Sequence, residues 1–359
     1  CSPCALVIAT PVAYLSAIAA AAKRGVLIKG GVYLETLARA KAIVFDKTGT
    51  LTTGRVKLKQ VITHDSVAED EALRLAGGLE SSSSHPLAAA VMAELAEQRL
   101  EPYPVQGVTD VAGRGLSATS NGRRVWIGSP RFAAQYVDAA HRDLFETSLR
   151  SVYSTGSAAS ALVIDGVPNI LVFEDTVRPN AAHTLARLRA GGVERIHMLT
   201  GDHELVAAAI AKELKVDDFR ADLLPEDKLD AARELRRRHG PNVMVGDGVN
   251  DAPALAGADV GIAIGSIGAD VALEAADIVL MNDSLEGVAW VHAHAKRTAQ
   301  IVRQNLFLAI GVIVVLAGFA LTGHIPLPLA VMGHEGSTLC VALNALRLLG
   351  GSKSRATVD

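Results

Sequence analysis

Two kinds of apolar pattern share this chain. Three runs, 4–22, 305–323 and 325–349, are predominantly apolar, the first almost wholly so. Each is near the ~20 residues that a helix needs to cross a bilayer. Between the first and second lie apolar bursts of strand length, at 42–45, 170–173, 196–199, 243–245, 260–263 and 278–280. Amphipathic helical patterns over 179–190, 204–214 and 226–239 separate several of them. Strands alternating with helices predict an α/β fold around a doubly wound parallel sheet. The stretch 54–165 interrupts that rhythm with short β-like segments and helices of its own, so it is expected to be an inserted α+β domain. The predicted organisation is therefore a membrane helix at 1–24, an α/β domain built from 36–53 and 166–290, an insert at 54–165, and a transmembrane helix hairpin at 300–350.

Charge orients this arrangement. Lys23-Arg24 follow the first run, Lys296, Arg297 and Arg303 precede the second, and Arg347, Lys353 and Arg355 close the third. Basic flanks mark the cytoplasmic side. The first helix then enters the cytoplasm, the large polar region stays there, and the last two helices cross out and back, as in a multi-pass protein of the cell membrane. Half of the 359 residues are hydrophobic, and that excess sits in the three runs. A formal charge of -3 gives no reason to expect nucleic acid as a partner. Three cysteines build no disulfide framework. The chain opens at Cys1 inside an apolar stretch with no basic-headed signal peptide, which reads as a piece of a longer protein.

Candidate chemistry begins at Asp46-Lys47-Thr48-Gly49-Thr50-Leu51-Thr52, behind the buried-strand pattern Ala42-Ile43-Val44-Phe45. Open α/β sheets place their chemistry at the C-terminal edge of such strands. The turn of small residues that follows offers backbone N–H groups to a phosphate, and an aspartate so placed can attack a phosphoryl group and carry it as an acyl-phosphate. Four further strings accompany it: Thr200-Gly201-Asp202 after a strand, Lys228 at the opening of a helix, Gly246-Asp247-Gly248-Val249-Asn250-Asp251 after another strand, and Ala252-Pro253-Ala254-Leu255 continuing it. Their carboxylates suit Mg²⁺, a hard ion that prefers oxygen ligands.

In this order the strings resemble the haloacid-dehalogenase-like catalytic domain as used in P-type ATPases, the ion pumps that pass through an aspartyl-phosphate. The resemblance implies that Asp46 is the nucleophile and that Asp46, the Thr48 carbonyl, Asp247 and Asp251 serve Mg²⁺. It implies that Thr200 and Lys228 hold the phosphoryl oxygens, with Asn250 supporting them and Gly201 and Asp202 on the nucleotide side. Soluble phosphatases of that superfamily usually carry a second aspartate two positions after the nucleophile, as general acid/base. Thr48 stands there, which suits a pump whose phosphoenzyme lasts.

In the insert, Glu80, His85-Pro86 and Gly113-Arg114-Gly115 resemble the pattern by which heavy-metal pumps cradle ATP, with Gly128 a softer candidate. Where Ser84 stands, copper-type members often have an acidic residue. Ser2-Pro3-Cys4 and His334-Glu335-Gly336-Ser337-Thr338 place a sulfur, an imidazole, a carboxylate and hydroxyls in apolar runs. Ionisable groups at such depth are costly and mark function, and this mixed donor set suits a borderline divalent ion more than copper(I). The pairing of these two motifs resembles the cobalt-type subgroup of heavy-metal P-type ATPases, which implies Ser2, Cys4, His334, Glu335 and Thr338 as ligands of a transported ion, Co²⁺ first and Zn²⁺, Ni²⁺ or Fe²⁺ next. Cys1 adds a Cys-x-x-Cys without a second pair, Cys340 reads as packing, and His324 lies near the outer end.

Alternatives are a copper-type pump or a membrane-tethered phosphatase. A non-catalytic metal-binding regulator has no use for Asp46, Lys228 and Asp247 together. P-type pumps also use an actuator domain with a Thr-Gly-Glu hydrolytic loop, and that string does not occur in this chain. The actuator domain and earlier helices are expected upstream as partners, so the chain alone is expected to bind nucleotide and to autophosphorylate at most, without transport.

Overall fold

The computed structural model describes residues 4–65, 67–81, 83, 86–111, 114–248, 251–265, 270–321 and 326–350. Two compact units emerge. The first combines Cys1–Asp46, Asn180–His197 and Leu224–Asp359; the second combines Lys47–Pro179 and Met198–Leu223. The strands, in chain order, are β1 Val26–Ile28, β2 Ala42–Asp46, β3 Thr52–Ile62, β4 Gln106–Val111, β5 Gly115–Ser120, β6 Arg123–Gly128, β7 Ala158–Ile164, β8 Val167–Val177, β9 Arg195–Leu199, β10 Asp218–Arg220, β11 Asn242–Gly246, β12 Val260–Ile264 and β13 Ile278–Leu280.

In the first unit the neighbour order is β1-β13-β12-β11-β2-β9. β2, β11, β12 and β13 run parallel, with Val243 opposite Ile43 and Val245 opposite Phe45. Every residue of β2, β11 and β12 is buried, the mark of strands covered on both faces. An edge strand that the pattern did not reveal, β1, pairs antiparallel with β13. At three residues it is too short to show a period.

The second unit holds an antiparallel sheet ordered β3-β8-β7-β6-β5-β4. Here the structure corrects one expectation, because the burst at 170–173 lies in β8 of this sheet and not in the parallel one. The physical reason is visible in its packing. Leu171 and Phe173 enter one core with helices Glu69–Glu80 and Pro86–Gln98, while Ile170 and Val172 enter another with Phe145 and Val152 of helix Arg142–Ser154. A strand buried on both faces loses its alternation and reads like a parallel one.

Among the described residues two helices are long and apolar enough to cross a membrane, Cys4–Ala22 and Glu286–Leu321. The third predicted span forms helix Leu327–Leu346, but His334-Glu335 at its middle and Asn344 keep it below that standard of apolarity. Register also departs from the simplest reading. His294 Nε2 lies 3.0 Å from the Ala17 carbonyl, and Asn305 Nδ2 donates to the Ala9 carbonyl at 3.4 Å. The second half of helix Cys4–Ala22 therefore runs along the polar stretch 294–304, and Ala9, not Ala22, stands level with the start of the long apolar run.

Candidate active site

The buried strand β2 ends on Asp46, itself 3% exposed. Because β11 runs parallel beside it in matched register, the segment that leaves Gly246 departs from the same sheet edge with Asp247. Lys228 comes from the first turn of helix Pro225–His239. That turn is fixed by proline at the helix start and by the Asp227 carboxylate, which accepts from the Leu224 N–H at 2.9 Å. From there Lys228 Nζ donates to Asp46 Oδ1 at 2.5 Å and to Asp251 Oδ1 at 2.6 Å. Asp46, Lys228 and Asp251 are thus brought together, all three buried.

Burial raises the Asp46 carboxyl to about 7; Asp251 and Asp247 push the same way and Lys228 opposes them. Asp251 is also raised by its burial, against the pull of Lys228. For Lys228, burial alone would lower the ammonium, but Asp46 and Asp251 outweigh it and hold it above its ordinary value. Asp46 and Asp251 so share one buried ammonium, and Asp251 Oδ2 is buried with no hydrogen-bond partner. Among the described residues no three His, Cys, Asp or Glu side chains gather as a ready metal cage. Surplus negative charge with an orphaned carboxylate oxygen nevertheless fits Mg²⁺, which is commonly held by one or two carboxylates plus the substrate's phosphates. Asn250 lies outside the described residues.

The turn Lys47–Leu51 belongs to the second unit and is built around Gly49, whose φ of 72° only glycine adopts without strain. Arg178 donates to the Gly49 carbonyl at 2.9 Å and to the Thr52 carbonyl at 3.0 Å. Asp175 accepts from Thr52 Oγ1 at 2.6 Å and from the Gly54 N–H at 3.1 Å. Lys47 pairs with Asp202 and lies 3.7 Å from Asp175. Thr200 is buried, and its hydroxyl accepts from the Asp202 N–H at 3.1 Å. Thr48 has an extended backbone beside Gly49. At Gly201 a Cβ would stand 3.1 Å from the Leu223 carbonyl oxygen, a tight fit. Asp175 and Arg178 escaped the sequence reading. Their signal was Glu174-Asp175-Thr176-Val177-Arg178, charges that abruptly end the apolar strand β8.

Glu80 closes helix Glu69–Glu80, while His85 and Gly113 lie outside the described residues. Gly115 and Gly128 stand opposite one another on β5 and β6. A Cβ on Gly115 would sit 2.2 Å from the Ile127 carbonyl oxygen, and one on Gly128 2.2 Å from that of Arg114, so strand pairing alone demands glycine at both. Of the proposed ion ligands, Ser2 lies outside the described residues and Cys4 begins its helix. His334 Nε2 is 4.0 Å from Glu335 Oε1, whose side chain is largely exposed. The Ser337 and Thr338 hydroxyls donate to the His334 carbonyl. Cys4, His334 and Thr338 lie on two helices that pack together, and among the described residues no three His, Cys, Asp or Glu side chains gather there.

Residues 40–259 match the haloacid dehalogenase-like hydrolase family. A probable cadmium-transporting ATPase of Staphylococcus aureus (strain MRSA252) is 40% identical over 352 residues, covering 97% of this chain and 48% of that protein. A manganese-exporting P-type ATPase of Mycobacterium bovis is 40% identical over 364 residues, with the same 97% and 48% coverage. The crystal structure of a zinc-transporting PIB-type ATPase in the E2.Pi state superposes with a TM-score of 0.76 at 42% identity, covering 97% of this chain and 56% of that one. The chain thus spans about half the length of the curated relatives it matches. The chain belongs to the haloacid dehalogenase-like hydrolase family and is similar over nearly its whole length to heavy-metal-transporting ATPases.

Proposed function

We propose that this chain forms the catalytic and part of the membrane portion of an ATP-driven exporter of a divalent transition metal, working through an aspartyl-phosphate on Asp46. The observation that carries this reading is the buried Asp46 bridged by Lys228 to Asp251 at the end of β2. In the proposed reaction an Asp46 carboxylate oxygen attacks the γ-phosphorus of ATP. The new P–O bond forms as the bond to the β-phosphate oxygen breaks, and ADP leaves. Lys228 offers an ammonium to the transferring phosphoryl oxygens, where developing charge is best stabilised by a preorganised donor. Mg²⁺, held by Asp46, Asp247 and Asp251 with the Thr48 carbonyl, would supply further charge neutralisation. Thr200 contributes a hydroxyl, and Asn250 supports the site. Arg178 and Asp175 act as positioning residues by fixing the turn behind the nucleophile. Glu80, His85, Gly113, Gly115, Gly201 and Asp202 would serve the nucleotide.

Membrane placement is supported by the apolar side chains that the helices turn outward. Phe307, Val314, Phe319 and Leu321 are each more than half exposed, as are Leu329, Met332, Leu339 and Leu343. Water does not favour such a belt, whereas acyl chains do. Ser2, Cys4, His334, Glu335 and Thr338 would bind the cargo once the helices of the full-length protein close around it. Their mixed sulfur, nitrogen and oxygen donors favour Co²⁺ in this reading. The cadmium-, manganese- and zinc-transporting relatives bring Cd²⁺, Mn²⁺ and Zn²⁺ into contention. An actuator domain upstream would hydrolyse the phosphoenzyme.

The test is ATPase activity of the full-length protein in lipid, titrated separately with Co²⁺, Zn²⁺, Cd²⁺, Mn²⁺ and Cu⁺, with Asp46→Asn and Cys4→Ala beside it. Stimulation by a divalent ion that both substitutions abolish is expected. Stimulation by Cu⁺ alone would overturn the reading of the cargo, and activity surviving in Asp46→Asn would overturn the chemistry.

A further inference from the structure

Within the first unit, three helices are tied by one fully buried amide. Asn305 is 0% exposed and sits where helix Glu286–Leu321 passes from polar to apolar sequence. Its Nδ2 donates to the Val341 carbonyl of helix Leu327–Leu346 at 3.2 Å and to the Ala9 carbonyl of helix Cys4–Ala22 at 3.4 Å. Its Oδ1 accepts from Asn344 Nδ2 at 2.8 Å. The network continues outward: Asn344 Nδ2 also reaches Gln304 Oε1 at 3.3 Å, Arg347 Nη1 donates to Asn344 Oδ1 at 2.7 Å, and Arg297 Nη2 donates to the Arg347 carbonyl at 3.0 Å. The amide orientations are not arbitrary. Two carbonyls can only accept, so the Asn305 NH₂ must face them. Its oxygen then needs a donor, which the Asn344 NH₂ provides, leaving the Asn344 oxygen for Arg347.

A full set of partners at this depth is costly to assemble and specifies one arrangement of the helices. The two carbonyls also lie in telling places. Ala9 is five residues from Cys4, and Val341 is three from Thr338 and seven from His334. Around the same level Ala5, Ala9, Ala309 and Val341 close into a small apolar cluster. Any slide of one helix against another by a residue, ~1.5 Å, would break the Asn305 contacts.

We infer that Asn305, with Asn344, is a positioning residue that locks the register of the two ligand-bearing helices and thereby sets the affinity for the transported ion. This rests on the pump reading given above. Asn305 touches no cargo itself; it holds Cys4 at a fixed height relative to His334 and Thr338. Such a role separates from general stability, because an apolar replacement of similar size leaves both carbonyls with their own helical partners.

The experiment measures Zn²⁺-dependent phosphorylation from labelled ATP in the full-length protein in lipid. Variants are Asn305→Leu, Asn305→Asp, Asn344→Leu and Asn305→Leu/Asn344→Leu, with nucleotide affinity measured alongside as evidence of an intact catalytic region. In Asn305→Leu the half-saturating Zn²⁺ concentration is expected to rise at least tenfold while the maximal phosphoenzyme stays within twofold. Asn305→Asp should be worse, since its carboxylate would face two carbonyl oxygens. The double variant should match the single one, because the residues act as a unit. An unchanged half-saturation in Asn305→Leu, or a fall in maximal phosphoenzyme alone, would overturn the proposal. If the unsubstituted protein shows no phosphorylation that responds to a metal, the pump reading falls first, and that outcome is distinct from either.

Discussion

At the scale of the residue, Asp46 carries the strongest physical signature. A carboxyl raised to about 7 by burial keeps its proton more tightly when folded than when unfolded. Its contribution to stability is then fully present at low pH and is lost as pH rises toward and through about 7. In buffer without divalent cations, melting of the first unit is expected to fall between about pH 4 and 7 and to level off above. Asp46→Asn should flatten that decline, and Mg²⁺ should do the same by stabilising the carboxylate. A scan of melting temperature against pH, with and without Mg²⁺, checks both. The acid limb of phosphorylation should likewise move to lower pH as Mg²⁺ is raised. The string beginning at Asp46 was legible because a buried strand feeding an aspartate into small residues has few other uses. Asp175 and Arg178 were not legible, since a carboxylate and a guanidinium ending a strand look like any solvated terminus until their partners Gly49, Thr52 and Gly54 are seen.

At the scale of the element, glycine and strand length explain where pattern reading held and where it slipped. The parallel strands β2, β11, β12 and β13 were legible as short apolar bursts, but β8 was assigned to the wrong sheet because helices bury both of its faces. The glycines of the insert were read as room for nucleotide. At Gly115 and Gly128 a Cβ would also meet the backbone of the neighbouring strand, which gives glycine a second reason to stand there. Gly128→Ala is therefore expected to destabilise the second unit by roughly 1–3 kcal/mol, the usual cost of overpacking. Chemical denaturation of the protein, with nucleotide affinity measured in parallel, tests this. A variant that keeps its stability but loses nucleotide would return Gly128 to a direct binding role.

At the scale of the whole molecule, three apolar runs were legible, but their depth was not. A run of alanine and leucine looks the same against lipid as against another helix, and the register with His294 and Asn305 came only with the structure. This arrangement predicts that Leu15, 66% exposed on the first helix, lies level with polar sequence and outside the acyl chains. Cysteine placed at Leu15 or Gln300 should react with a membrane-impermeant maleimide from the cytoplasmic side, and cysteine at Val314 should not. Protection at Leu15 would restore a first helix that spans from Cys4 to Ala22. The long helix has a mechanical consequence as well. Its 36 residues contain no proline, whereas the helix beside it has Pro11 inside, two residues beyond Ala9, whose carbonyl Asn305 grips. One member is a stiff drive shaft and the other a rod with a single joint beside its pin. Bending between the two helices would then be taken up first at Pro11.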